Sequence, residues 1–464
     1  MSVERDEAHQ ADLLRSVIDD PRDEACRLRY AAHLEARGDA QGELIALHCR
    51  LAKLTGDDAG RRDLEVRAND LIARHAAKWN AALGADVTEV AYDLGLPFAA
   101  HVPLRAMAFD VLDRAPITEL ELMFDSYAVD TEDVPLGSSR TCDLVAATRL
   151  AADPRFARLA RLATGTRLGP EALCALVCSP HASRLRSLSI SSADARPYVG
   201  RALLEASLPA LEVLVLCGDW RSGGGDEIAH DLAKARLPQL RDVVLRNLGC
   251  TEAAAVSLAH SATIHGLQAL DLGSDREPAN QIGPLGANAL AASVNFIALR
   301  QLGLDGNAIT DAGLVEIVRS AHLRELRSLS VRDNGLTNQA LRVLATADLP
   351  HLESLDLSRN LALTPAGIAM LMESPRLETL RSLRLGSNLL GADAARVIGR
   401  SSSAAALRLL DLRDSQLADE GARALLESPH LENLTELDVC GNLISSDLRD
   451  AMKVRWREAV QTER

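Results

Sequence analysis

Aromatic residues are scarce in this chain, at 3% of its 464 residues. That excludes a core built on large rings and a stacking platform for nucleic-acid bases. Lysine is nearly absent as well. Only Lys53, Lys78, Lys234 and Lys453 occur, so almost all of the positive charge is arginine. Biased coding accounts for this, or else surfaces suited to bidentate carboxylate contacts. A basic balance is missing too: the net charge is -14 and the pI about 5.4. This speaks against a nucleic-acid footprint and against binding to anionic membranes. No apolar run approaches the ~18 residues of a spanning helix. Met1 to Gln10 lacks the apolar stretch of a secretory signal. The expectation is a cytoplasmic protein with no membrane partner.

Cysteine is thinly spread, at positions 26, 49, 142, 174, 178, 217, 250 and 440. Reduced, mostly buried thiols fit a cytosolic chain. Cys174 and Cys178 share a helix face, but no further Cys or His pair supplies zinc-ligand spacing. No metal and no cofactor are expected. Catalytic signatures are equally lacking. Arg221 to Asp226 is glycine-rich without the Lys-Ser/Thr ending of a phosphate loop, and neither GxSxG nor HExxH occurs. His181, His322, His351 and His430 recur at corresponding places along the chain, which suits a consensus role better than a ligand set.

What is present is a repeated phrase: Leu, two variable residues, Leu, one variable, an aliphatic, two variable, often Asn. The clear copies are Leu299–Asn307, Leu326–Asn334, Leu352–Asn360, Leu380–Asn388, Leu407–Ser415 and Leu434–Asn442. Weaker copies begin at Leu159, Leu185, Leu211, Leu240 and Leu267, with another at Ile117. From Leu159 onward the starts are separated by 26, 26, 29, 27, 32, 27, 26, 28, 27 and 27 residues. Alternation at positions such as Leu302 and Leu304 predicts a short strand with one buried face. The ninth-position Asn is suited to satisfying turn backbone groups through its amide. Thr364-Pro365, Gly283-Pro284 and Gly169-Pro170 predict helix starts. Leu314, Ile317 and Val318 continue at helical spacing, and Ser374-Pro375 and Ser428-Pro429 close helices. One such unit cannot bury its apolar side alone, whereas stacked units share a continuous core.

This phrase resembles the leucine-rich repeat family, and its strand-helix units resemble the ribonuclease-inhibitor-like subclass. The resemblance covers residues 117–445 and implies an α/β solenoid, a horseshoe with parallel concave strands and convex helices. Ahead of it a small all-α domain is expected over residues 1–80. Asp20-Pro21, Asp23, Arg27-Leu28, Tyr30-Ala31, Leu34-Glu35, Arg37-Gly38-Asp39, Gly42-Glu43, Leu47, Arg74-His75 and Trp79 resemble the bacterial repeat-companion domain. That likeness implies modular organisation and no chemistry. Residues 81–116 are expected to be degenerate first repeats. Residues 446–464 are expected to form a capping helix, with Leu448, Met452, Trp456 and Val460 spaced by four.

The expected function is a non-catalytic protein-binding scaffold or sensor, because extended concave faces are how solenoids bind. Regulation of a partner enzyme, as an inhibitor or a GTPase activator, also occurs in the resembling subclass. An enzyme or a nucleic-acid binder ranks behind both. The candidate concave contacts are Asp271, Asp305, Arg332, Asp356, Arg384, Asp411, Arg413 and Asp438. They form either a solvated mixed-charge face or a groove for a protein with a basic or mixed-charge surface. Two intervals are long: 42 residues between Ile117 and Leu159, and 32 between Leu267 and Leu299. They accommodate loops at Asp125–Thr141 and Ser274–Asn280. Tyr127, Asp130, Glu132 and Asp133 are candidate loop contacts beside the reading of a tolerated insertion.

Overall fold

The structure is a computed structural model. It describes the chain except residues 1, 56–59, 104–108, 124–137, 165–167, 192–196, 219–222, 277–278, 376–377 and 463–464. Residues 1–191 with 206–211 form one compact unit, and residues 192–205 with 212–464 form the second.

The first unit opens with four helices: α1 (Ser2–Asp19), α2 (Glu24–Ala36), α3 (Ala40–Leu51) and α4 (Arg61–Leu83). Their sequence explains their boundaries. The Asp23 carboxylate accepts from the backbone N–H groups of Ala25 and Cys26, and Asp39 accepts from Gln41, so each caps a helix start. Gly42 lets α3 lie against α2. A Cβ there would meet the Ala31 carbonyl oxygen at 2.5 Å. Tyr30, Ala31, Leu34 and Ile45 close one small core, while Leu44, Leu47, Leu71 and Trp79 close another. The Trp79 indole donates to the Asp39 carboxylate at 3.2 Å, tying α4 to the cap of α3.

Residues 88–103, where degenerate repeats were expected, form an antiparallel pair: β1 (Thr88–Asp93) and β2 (Leu96–Pro103). Then β3 (Glu119–Met123), β4 (Arg161–Thr164) and β5 (Ser187–Ser191) follow in parallel register. The candidate contacts Tyr127, Asp130, Glu132 and Asp133 lie outside the described residues.

The second unit carries the helix Pro197–Glu205 and then one short strand per repeat: β6 (Val213–Cys217), β7 (Asp242–Arg246), β8 (Ala269–Asp271), β9 (Gln301–Gly303) and β10 (Ser328–Ser330). The series continues through β11 (Ser354–Asp356), β12 (Ser382–Arg384), β13 (Leu409–Asp411), β14 (Glu436–Asp438) and β15 (Val460–Gln461). All pair in parallel with their sequence neighbours. The chain is an α/β solenoid. The three-residue strands β8 to β14 each send their middle leucine inward, β6 and β7 bury their second and fourth residues, and the following helices send back an apolar stripe such as Gly313, Leu314, Ile317 and Val318.

Two polar ladders join one repeat to the next. The first is asparagine. Asn334, 1% exposed, accepts from the N–H groups of Asn307 and Ile309 in the preceding repeat, both at 3.1 Å. Its amide nitrogen donates to the Leu304 carbonyl at 2.8 Å and to the Arg332 carbonyl at 3.0 Å. Asn360 and Asn442 repeat this arrangement. The residue just before each of these positions is left-handed: Gly306, Asp333, Arg359, Ser387, Asp414 and Gly441 have φ of 49 to 72°. The second ladder is serine. The hydroxyls of Ser261, Ser293, Ser374, Ser401 and Ser428 each donate to a carbonyl at the end of the preceding helix.

Some expected details differ. The long interval before Leu299 is not only a surface loop. Asn280, the last residue of the Ser274–Asn280 segment, is fully buried and does the ladder's work, accepting from Leu248 and Cys250 and donating to Leu245 and Leu272. Ile282, not Gly283, caps the helix Gly283–Ala292. Thr364 holds the cap position, but its hydroxyl accepts from the Asn338 amide of the preceding repeat. At the far end the helix Ser446–Trp456 stops before Val460, which joins β15 instead. Met452 is fully buried, and the Trp456 indole donates to the Leu431 carbonyl at 2.9 Å.

Replacing Asn334 by Ala removes four hydrogen bonds from a buried site and leaves backbone groups of two repeats unpaired. The expected loss is about 3 kcal/mol or more by urea denaturation, given ~1–3 kcal/mol for each orphaned buried group. A loss below about 1 kcal/mol contradicts the ladder's role.

Candidate strand-face interface

The strand face of the second unit presents the third and fifth residues of each phrase, with the seventh just past the strand. All of these belong to parallel strands that lie about 4.8 Å apart. Side chains of consecutive repeats therefore stand in columns.

The fifth-position carboxylates are largely engaged within the protein. Asp271 accepts from the Gly273 N–H at 2.7 Å and from Arg246 Nη1 at 2.9 Å. Asp356 accepts from the Ser358 N–H, and Asp438 from the Cys440 N–H, both at 2.9 Å. Each such bond holds the backbone where the strand ends. Asp411 departs furthest from its expected place on an open face. It is 3% exposed and lies beneath Arg413, which donates to it from its backbone N–H and from Nε at 2.9 and 2.8 Å. Arg413 also stands 3.6 Å from Asp438. Its hydrogen bond to Asp411, with the nearby acidic charges, holds the guanidinium pKa above its ordinary value against the opposing effect of burial.

Asp305 sits deeper than its column suggests. It accepts from the Ser330 hydroxyl and from the Arg332 N–H, and stands 4.0 Å from Arg246. Burial pushes its carboxyl pKa up, and the nearby Asp356 and Asp271 charges push the same way against the Ser330 hydrogen bond. Arg246 is depressed by burial, but Asp271 and Asp305 outweigh that and raise it.

The structure thus gathers Asp271, Asp305 and Arg246 into one network, and Asp411, Arg413 and Asp438 into a second. Arg332 and Arg384 lie on the same face without a carboxylate partner among the described residues. Arg384 donates only to the Ser382 hydroxyl, at 3.1 Å. No group of three or more His, Cys, Asp or Glu suited to a metal ion occurs among the described residues. No disulfide joins the described cysteines. Burial raises the Cys250 pKa to about 12, which keeps that thiol protonated and unreactive.

A feature the candidate residues did not include lies at the other edge of the same face. A shallow groove of ≈ 530 Å³ is lined by Asp242, Gln268, Ala269, Arg300, Gln301, Arg327, Ser328, Glu353 and Ser354. These are second and third residues of successive phrases. The signal was in the sequence: the second position is arginine at 241, 300, 327, 381 and 408. No described helix is long and apolar enough to cross a membrane.

Comparison with known proteins gives the following. The Leucine Rich repeat family model matches residues 348–372 and 406–426. A putative RNA-binding protein of Caenorhabditis elegans, EEED8.10, is 28% identical over 163 residues, covering 34% of this chain and 21% of its own length. The match therefore spans about a fifth of that relative. Among solved structures, the complex of Rad7 and Elc1 in yeast is 17% identical, with a TM-score of 0.47, covering 69% of this chain and 81% of that one. An internalin from Listeria monocytogenes is 19% identical, with a TM-score of 0.37, covering 68% and 76%.

The raised pKa of Asp305 has a direct consequence. The folded protein holds that proton more tightly than the unfolded chain does. Between the ordinary carboxylate pKa and the raised folded value, stability therefore falls as pH rises. Asp305→Asn keeps the acceptor for Ser330 and Arg332 without the buried charge. The variant should melt above the parent at pH 7, with the gap narrowing as the pH is lowered toward 4. A lower melting temperature at pH 7 contradicts this.

Proposed function

We propose that this leucine-rich-repeat protein is a non-catalytic binding scaffold of the cytoplasm that recognises another protein on the strand face of its C-terminal repeats. The observation that carries the proposal is the combination on that face of rigid and open charge. Backbone hydrogen bonds fix the Asp356 and Asp438 carboxylates, whereas the Arg332 and Arg384 guanidinium groups have no carboxylate partner among the described residues. Fixed carboxylates beside reachable arginines suit a mixed-charge protein surface. Such complementarity acts on encounter rate and specificity more than on raw affinity. Direct readout of nucleic acid is disfavoured by the net charge of -14 and by 3% aromatics. The N-terminal helices, and Tyr127, Asp130, Glu132 and Asp133 of the long interval before Leu159, are proposed as further contacts of the same partner. If the partner is an enzyme, the scaffold is also its regulator.

Affinity capture from host lysate with the full chain tests this. Two variants accompany the parent: Asp356→Asn with Asp438→Asn, which keeps the backbone-capping oxygens, and Arg332→Ala with Arg384→Ala. A stoichiometric protein retained by the parent, and weakened roughly tenfold (~1.4 kcal/mol) or more by each variant at unchanged melting temperature, is the expected result. Capture unaffected by both variants places the interface elsewhere. Absence of any captured protein counts against the scaffold reading.

A further inference from the structure

The two edges of the strand face differ in what their charges are doing. At the strand ends, the carboxylates accept backbone and arginine hydrogen bonds of the protein itself. At the strand starts, arginine occupies the second position in five of the nine repeats from Leu211 onward, at 241, 300, 327, 381 and 408. These five residues are exposed. Among the described residues only Arg327 meets a carboxylate, that of Glu353 at 3.2 Å, in a pair about half exposed on both sides. Exposed pairs of this kind contribute little. Arg381 and Arg408 reach backbone carbonyls. The Arg300 guanidinium has no hydrogen-bond or ion-pair partner among the described residues.

The groove places this column in context. In repeat order its lining runs Asp242, in the third phrase position beside Arg241, and then the second-position residues Gln268, Arg300, Arg327 and Glu353, so the arginines stand at its centre and a carboxylate at each end. Gln301, Ser328 and Ser354 line it as well. Arg300 and Arg327 belong to neighbouring strands, whose backbones lie about 4.8 Å apart, and each guanidinium can hold a carboxylate bidentately. A continuous polyanion would meet Asp242 and Glu353 at the two ends. A polypeptide avoids that repulsion by placing neutral or basic residues there. No aromatic residue lines the groove on which a base could stack.

We propose that the strand-start edge of these repeats is a docking track for an acidic polypeptide segment, whose carboxylates meet Arg300 and Arg327 in the groove and continue along Arg381 and Arg408. The proposal rests on the protein-binding reading above and names the chemistry that the partner brings to one edge of the face. It reverses the simplest reading of the sequence, in which the aspartate column draws a basic partner. Those aspartates each spend an oxygen on capping the backbone, whereas Arg300 has no partner among the described residues, Arg327 has only an exposed pair with Glu353, and Arg381 and Arg408 touch backbone carbonyls at the surface.

Fluorescence anisotropy with the full chain tests the track. The probe is a labelled peptide with a central Glu-Asp-Glu run and lysine at both ends. Its charge-reversed counterpart and an oligouridylate RNA serve as competitors. The acidic-centred peptide should bind, and Arg300→Ala with Arg327→Ala should weaken it tenfold or more, with Arg381→Ala and Arg408→Ala weakening it less. All four side chains are exposed, and thermal melts of the variants should match the parent. Failure of the acidic-centred peptide to bind, equal binding of the reversed peptide, affinity unchanged in Arg300→Ala with Arg327→Ala, or displacement by the RNA at lower concentration overturns the proposal. The capture experiment separates this from the parent reading. A captured protein that depends on Arg332 and Arg384 but ignores Arg300 and Arg327 refutes the acidic track and keeps the scaffold. No captured protein refutes the scaffold itself.

Discussion

Every repeat must turn its backbone sharply after a three- to five-residue strand without leaving buried polar groups unpaired. The asparagine amide meets that constraint. Its oxygen takes two N–H groups of the repeat before, and its nitrogen supplies a carbonyl of that repeat and one of its own, as at Asn334. The turn it holds includes a left-handed residue that need not be glycine; Asp333, Arg359 and Ser387 occupy it. Left-handed geometry costs such residues roughly 1–2 kcal/mol. The ladder and the packed leucines offset that cost. Because each bond set reaches into the neighbouring repeat, the ladder couples units that otherwise meet mainly through apolar contact.

The same constraint sets the electrostatics of the strand face. A strand of three residues ends quickly, and aspartate at its fifth phrase position caps the backbone two residues on. Four such carboxylates, at Asp271, Asp356, Asp411 and Asp438, are therefore structural before they are anything else. Arginine at the second position precedes the strand and has no such duty. Each of these aspartates spends one carboxylate oxygen on the fold before any partner contact, whereas the second-position arginines cap nothing.

The fold was legible in the sequence because its signal is redundant. The spacing of the phrase, the alternation at Leu302 and Leu304, and the asparagine each point to the same unit. What was hidden had a physical reason in each case. Asn280 stood at the end of an insertion, out of phase with the phrase, so its ladder role emerged only in three dimensions. The serines after each helix looked like helix stops; their hydroxyls bond the preceding repeat. Asp411 shared a column with Asp356, yet Arg413 folds over it, and no sequence pattern distinguishes a covered aspartate from an open one. Thr364 read as a cap by type, but its hydroxyl is bonded by Asn338 across the repeat boundary. Side-chain pairing between repeats, more than the repeats themselves, is what the sequence concealed.

The claim that the strand face is the receptor is tested most directly by hydrogen exchange of the full chain with and without its captured protein. The account predicts added protection in the strands and flanking turns from Gln301 to Asp438, with little change in the helices behind them. Protection confined to those helices, or to the N-terminal helices alone, contradicts it.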